Sequence, residues 1–107
     1  MLFTGAGRLT LIESHGDQTR KLPPNSALLA YSDTAPVEIF SVFSHVVGIQ
    51  SHPDVTKEDV AKLMLPVFRK SGRLNESECS ACLSSLERDV STTRFALLLR
   101  NWFRQGL

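Results

Sequence analysis

The 107-residue sequence predicts a mixed fold in which short strands come first and helices last. Three observations carry that reading. Compact apolar runs separated by Pro- and Asn-containing turns fill the first half. After Pro53 the hydrophobic period changes from two to 3.6, and two helix-capping signatures follow. A self-contained α+β domain has this order of elements, and so does the back half of an α/β domain.

The first expected strand is the apolar run Leu9–Glu13, and the second is Ala27–Tyr31. Between them, Pro23-Pro24-Asn25 continues neither a helix nor a central strand and so reads as a turn. Val37–Phe43 and Val46–Gln50 are rich in Val, Ile and Phe and are separated only by Ser44-His45, the spacing of a tight hairpin. Ser-His lacks the Gly or Asn that primed turns prefer, which argues for a slightly longer loop.

Thr56 with Asp59 three residues on forms a capping box, and Val60, Leu63, Met64, Val67 and Phe68 then fall on one helical face. Pro66 lies inside that pattern, where a missing N–H and a bulky ring should kink the helix or end it near Leu65. Ser71-Gly72-Arg73 is a break. Asn75 caps a second helix with Glu78 at its third position and Cys79, Cys82, Leu83 and Leu86 as its apolar stripe. A third helix starts near Ser91 and presents Phe95, Leu98, Leu99, Trp102 and Phe103, with Arg94, Arg100 and Arg104 opposite or near its C-terminal dipole.

Composition narrows the function classes. The chain is 42% hydrophobic and 21% charged with a formal charge of +1, which gives no electrostatic reason to expect a nucleic acid or an anionic membrane as partner. No apolar run is long enough to span a membrane, and the start MLFTGAGRLTLIESHGD lacks the basic and apolar regions of a signal peptide. Two cysteines without such a signal point to reduced thiols in the cytosol or nucleus, and the expected location is cytoplasmic.

The chemistry-bearing segment is Val47–Asp54, VGIQSHPD. In extended chain, His52 and Asp54 would face the same side of the backbone, and Pro53 biases His52 toward that geometry. A carboxylate beside an imidazole fixes its tautomer and stabilises the imidazolium, which makes a general base for a Ser or Cys nucleophile. His-Pro-Asp is also ordinary turn chemistry, and the tripeptide alone does not separate the two readings.

The surrounding residues do. Gly48-Ile49-Gln50-Ser51-His52-Pro53-Asp54 is similar to the G-x-Q-x-H-P-E strand end of class I glutamine amidotransferases. Glu13-Ser14-His15-Gly16-Asp17-Gln18 followed by Leu22-Pro23-Pro24 resembles that family's S-H-x-D…L-P-x segment. Leu29-Ala30-Tyr31-Ser32 with Val37-Glu38-Ile39-Phe40 resembles its hairpin entry, and Arg100-Asn101-Trp102-Phe103 resembles the C-terminus of the γ-glutamyl peptidase-like branch. The blocks keep the family's order from about Leu9 to Lys70.

The resemblance implies an α/β fold: the C-terminal portion of a class I glutamine amidotransferase, a flavodoxin-like three-layer domain. Residues 1–107 would form one partial domain, with the strands, hairpin and His-x-Asp in 9–54 and about three helices in 56–105. It implies His52 as the base and Asp54 as the acid of a Cys-His-acid triad, acting on a glutamine amide or γ-glutamyl bond, with no metal or organic cofactor. The family carries Glu where this chain has Asp54. The carboxylate is one methylene shorter, and a shortfall of roughly 1 Å costs about 10²-fold in rate. The resemblance assigns no chemistry to His15, and His45 reads as solvated in its turn.

The nucleophile of the family sits on a G-x-C-x-G elbow, where backbone N–H groups can line an oxyanion hole. These 107 residues contain no such elbow, and Met1–Arg8 is too short to hold the strands that carry it. Cys79 and Cys82 lie on a helix stripe, where thiols are inert core groups rather than nucleophiles. Their C-x-x-C spacing does not follow a strand, as a redox site would require. It also lacks the second pair of ligands that a structural zinc site needs. The expectation is therefore a catalytically silent chain. Its split parallel sheet would expose an edge that invites self-association or a complementing chain. A nonenzymatic remnant serving as an interaction module is the alternative, and a C-x-x-C metal module a lesser one.

Overall fold

In the computed structural model residues 1–105 are described, and they form a mixed α/β structure. Five strands run β1 (Leu2–Thr4), β2 (Gly7–Leu9), β3 (Ser26–Ser32), β4 (Ile39–Val42) and β5 (Val46–Ile49). The helices are α1 (Lys57–Asp59), α2 (Leu65–Lys70), α3 (Glu76–Ser85) and α4 (Thr92–Gln105), with a π-helical stretch, Val60–Met64, joining α1 to α2. The chain divides into two compact units: Met1–Pro53 with the segment from Val90 onward, and Asp54–Asp89.

The first unit is one sheet in the order β2-β1-β3-β4-β5 with α4 packed on it. The resemblance implied a piece of a parallel sheet; every pairing among the described residues is antiparallel. Alternation along each strand sends Leu2, Leu9, Ala30 and Ile39 to one face, where they are buried with Leu11 and Phe95. Leu98, Leu99 and Trp102 of α4 pack against that cluster, as expected. Phe103 does not: in the last turn of α4, it remains 61% exposed.

The structure shortens one expected strand, adds another, and gives the hairpin the longer loop that its turn residues argue for. The expected strand Leu9–Glu13 ends at Leu9. Leu9 and Leu11 are both buried, which mimics strand alternation, but from Thr10 the backbone leaves the ladder. Thr10 exchanges hydrogen bonds with Ser91 just before α4, and Ile12 O accepts from His52 N at 2.7 Å. Strand β1 lies ahead of the first expected strand. It is held in a hairpin by Thr4, whose hydroxyl bonds Gly7 O at 2.8 Å, and by Arg94, whose guanidinium donates to the Arg8 and Ala6 carbonyls. Arg94 therefore anchors the sheet rather than facing away from it. The β4–β5 hairpin turns through Phe43, Ser44 and His45, with positive φ at Phe43 and Ser44, so the loop is one residue longer than Ser-His alone. His45 is exposed, stacked on Phe43.

On the opposite face, Leu28, Phe40 and Gly48 form one cross-strand row. The Phe40 ring lies over Gly48 so closely that a Cβ there would run into it. The glycine is thus a seat for the ring.

The second unit is helical. Both capping boxes form: Thr56 with Asp59, and Asn75 with Glu78, each with reciprocal side-chain bonds. At Pro66 the helical run does not end. The preceding turn widens instead, with Leu65 N bonding Val60 O five residues back, and the chain re-enters an α-helix with Pro66 in its first turn. The added residue shifts the helical phase. Val60 and Leu65 are buried, whereas Leu63 and Val67 are exposed. Helix α2 then stops on Gly72 in a Schellman motif, with Arg73 N bonding Phe68 O and Gly72 N bonding Arg69 O. On α3, Cys79 is buried and Cys82 half-buried, but Leu83 is exposed; a unit this small cannot bury a full stripe.

Candidate functional site

The site is built on an irregular segment, residues 10–25, that lies beside the end of β5. Hydrogen bonds rather than a ladder hold it. His52 N bonds Ile12 O, Gln18 Nε2 donates to Thr34 O at 3.1 Å, and Gln50 Nε2 donates to Thr19 Oγ1 at 2.9 Å. Gln50 N in turn bonds Glu38 O at 2.8 Å. The segment Gly48–Pro53 is therefore gripped by the backbone of residue 38 on one side and residue 12 on the other.

His52 is half-buried, and its Nε2 lies 3.1 Å from the carbonyl oxygen of Ser14. A carbonyl can only accept, so this bond is made by the Nε2–H tautomer, and in the neutral ring Nδ1 then holds the lone pair. A backbone carbonyl thus fixes the imidazole in a form whose basic nitrogen is Nδ1. Pro53 and Asp54 form a turn, so the same-side rule of extended chain is not what relates the two expected site residues. His52 belongs to the first compact unit and Asp54, exposed, opens the second.

Next to Ser14 the same segment carries Glu13 and His15, whose side chains meet at 2.7 Å. Glu38 joins them from the chain just ahead of β4, and one ligand atom from each of the three lies within 4.8 Å of the others. Glu38 is 1% exposed. Ser32 Oγ donates to its Oε1 at 2.7 Å. Burial pushes the Glu13 carboxyl up to about 7, a hydrogen bond with Glu38 adds to the rise, and His15 offsets part of it. Near neutral pH this cluster therefore holds a proton that an exposed carboxylate would have lost.

The residue pattern gives little notice of this cluster. It assigns His15 no chemistry and shows Glu38 only as part of an apolar strand. The available signal is a single acid enclosed by Val37, Ile39 and Phe40, since a buried carboxylate needs a partner.

The cysteines behave as core groups. Cys79 is fully buried, and burial followed by the proximity of Cys79 raises the Cys82 thiol above its ordinary value, which disfavours the nucleophilic thiolate. Neither cysteine is in the Glu13–His15–Glu38 group, the one cluster of three metal-competent side chains among the described residues.

Comparison with known proteins gives the chain relatives. It is 46% identical over 50 residues to γ-glutamyl peptidase 5 of Arabidopsis thaliana, covering 47% of this chain and 20% of that protein. γ-Glutamyl peptidase 2 of the same plant is 28% identical over 97 residues, which is 90% of this chain and 39% of the relative. One subunit of the glutamine-hydrolysing GMP synthase of Pyrococcus furiosus is 39% identical over 74 residues, covering 64% of this chain and 38% of the relative. The chain thus spans well under half the length of these curated relatives. No family model matches it, and no solved structure matches it. No helix among the described residues is long and apolar enough to cross a membrane. The relatives are γ-glutamyl peptidases and glutamine-hydrolysing GMP synthases, so the sequence's resemblance to the class I glutamine amidotransferase family is shown over the part of the chain that they cover.

Proposed function

We propose that this chain carries the base-and-acid end of a class I glutamine amidotransferase-type site, with His52 as base and Asp54 as acid, and that its 107 residues alone are catalytically silent. They would form the C-terminal portion of the family's three-layer domain, working in the cytoplasm. The observation that carries the reading is the placement of His52: half-buried at the end of the G-x-Q-x-H-P-acid segment, it is held by Ile12 O at its backbone N–H and by Ser14 O, 3.1 Å from its ring Nε2.

In the completed site a cysteine thiolate would attack the amide carbon of glutamine or of a γ-glutamyl bond. His52 would first take the thiol proton and then deliver it to the departing amine. A water molecule, deprotonated by the same imidazole, would hydrolyse the γ-glutamyl thioester. The thiol would come from a G-x-C-x-G elbow, which these residues do not contain. Neither Cys79, fully buried, nor Cys82, with its raised thiol, suits the role.

A second reading, a nonenzymatic interaction module descended from such an enzyme, draws on the Asp54-for-Glu change. An assay of glutamine and γ-glutamyl peptide hydrolysis by the purified chain tests the silent state. No turnover is expected. Turnover that survives Cys79→Ala with Cys82→Ala but disappears in His52→Ala would contradict it.

A further inference from the structure

The geometry points to a divalent-cation site formed by Glu13, His15 and Glu38, and we propose that it takes a zinc-type ion through one imidazole nitrogen and two carboxylate oxygens. The donor set is mixed nitrogen and oxygen, which suits a borderline cation rather than the all-oxygen cages of calcium or magnesium. The three ligand atoms lie within 4.8 Å of one another. Around a tetrahedral zinc with bonds of about 2.0–2.2 Å, neighbouring ligands sit about 3.4 Å apart, so a shared ion is within reach of small side-chain rotations. The pair already in contact, His15 Nε2 and Glu13 Oε2 at 2.7 Å, would open to admit it.

The cluster is more than adjacent surface acids. Glu38 is 1% exposed, and apart from Ser32 its carboxylate is set against the Glu13 carboxyl, so a cation entering here would take the place of the proton between the two acids. One of its oxygens is oriented by Ser32 Oγ at 2.7 Å, the kind of outer support that fixes a ligating carboxylate. Ser51 Oγ is a buried side-chain atom without a partner among the described residues. It lies between Gln50, which bonds the Glu38 backbone, and His52, which bonds that of Ile12. Glu13 and His15 keep 35% and 20% of their side-chain exposure, which leaves the ion an entry route from solvent and room for water as a further ligand.

Equilibrium dialysis of the metal-free chain against zinc chloride tests the proposal, with bound metal counted per chain. About one zinc per chain is expected. It should persist in the Cys79→Ser, Cys82→Ser double variant and weaken at least tenfold in Glu38→Gln and in His15→Ala. The last change is at the surface and leaves the core untouched, so its result stands even where Glu38→Gln fails to fold. No stoichiometric zinc in the parent chain, zinc that survives His15→Ala unchanged, or zinc lost with the cysteines would each overturn the site.

Discussion

Glu13 is the residue whose surroundings most alter its chemistry. Burial raises its carboxyl from an ordinary 4.5 to about 7, with further upward push from Glu38. The folded state therefore binds this proton more tightly than the unfolded chain does. Between about pH 4.5 and pH 7 the native form holds more protons, so stability must fall as pH rises through that window and level off above it. Urea denaturation in chelator-containing buffer from pH 4 to pH 9 should show that decline, and Glu13→Gln should flatten it and stabilise the chain at pH 8. A parent profile that rises across the same window would contradict the assignment. His52 is legible in the sequence because its neighbours spell a recognisable strand end. Its actual holding partner, the carbonyl of Ser14, is not, because a backbone oxygen leaves no mark in the amino-acid string.

At the scale of elements, local chemistry is readable and long-range geometry is not. Thr56–Asp59 and Asn75–Glu78 announce their helices because a capping box is closed by residues three apart. The π-helical stretch before Pro66 is hidden: the proline signals a missing N–H, but widening, kinking or stopping are alternative answers to it. Strand β1 escapes because three residues are too few to show a period, and the Arg94 bonds that secure its hairpin come from a helix far along the chain. The Phe40–Gly48 row is a further case. Gly48→Ala should cost about 1–3 kcal/mol, the usual penalty for overpacking, since the new methyl meets the Phe40 ring. In the Phe40→Ala background the same change should cost much less, and thermal unfolding of the four-member cycle measures the difference. Equal costs in both backgrounds would mean that the ring does not dictate the glycine.

For the whole molecule, the sequence indicates strands first and helices last, and the described fold has that order. Mixed α/β character and kinship with glutamine amidotransferases are both legible, because the family blocks are short, ordered and rich in Gly, Pro and His. The antiparallel pairing of the sheet is not, since a strand's own residues do not state its partner's direction. The Glu13–His15–Glu38 cluster is equally opaque, because the topology that gathers residues 13, 15 and 38 exists only in three dimensions.

The central claim is that His52 is the base of an amidotransferase-type site whose nucleophile elbow these residues do not contain. A chimera tests this most directly: this chain replaces the matched segment of Arabidopsis γ-glutamyl peptidase 2, whose remaining length supplies the rest of the domain. Circular dichroism establishes that the chimera is folded, and γ-glutamyl hydrolysis is then measured. Turnover within about 10²-fold of the parent is expected, the cost set by the shorter Asp54, together with its loss in His52→Ala. A folded chimera with no turnover, or one indifferent to His52→Ala, would contradict it.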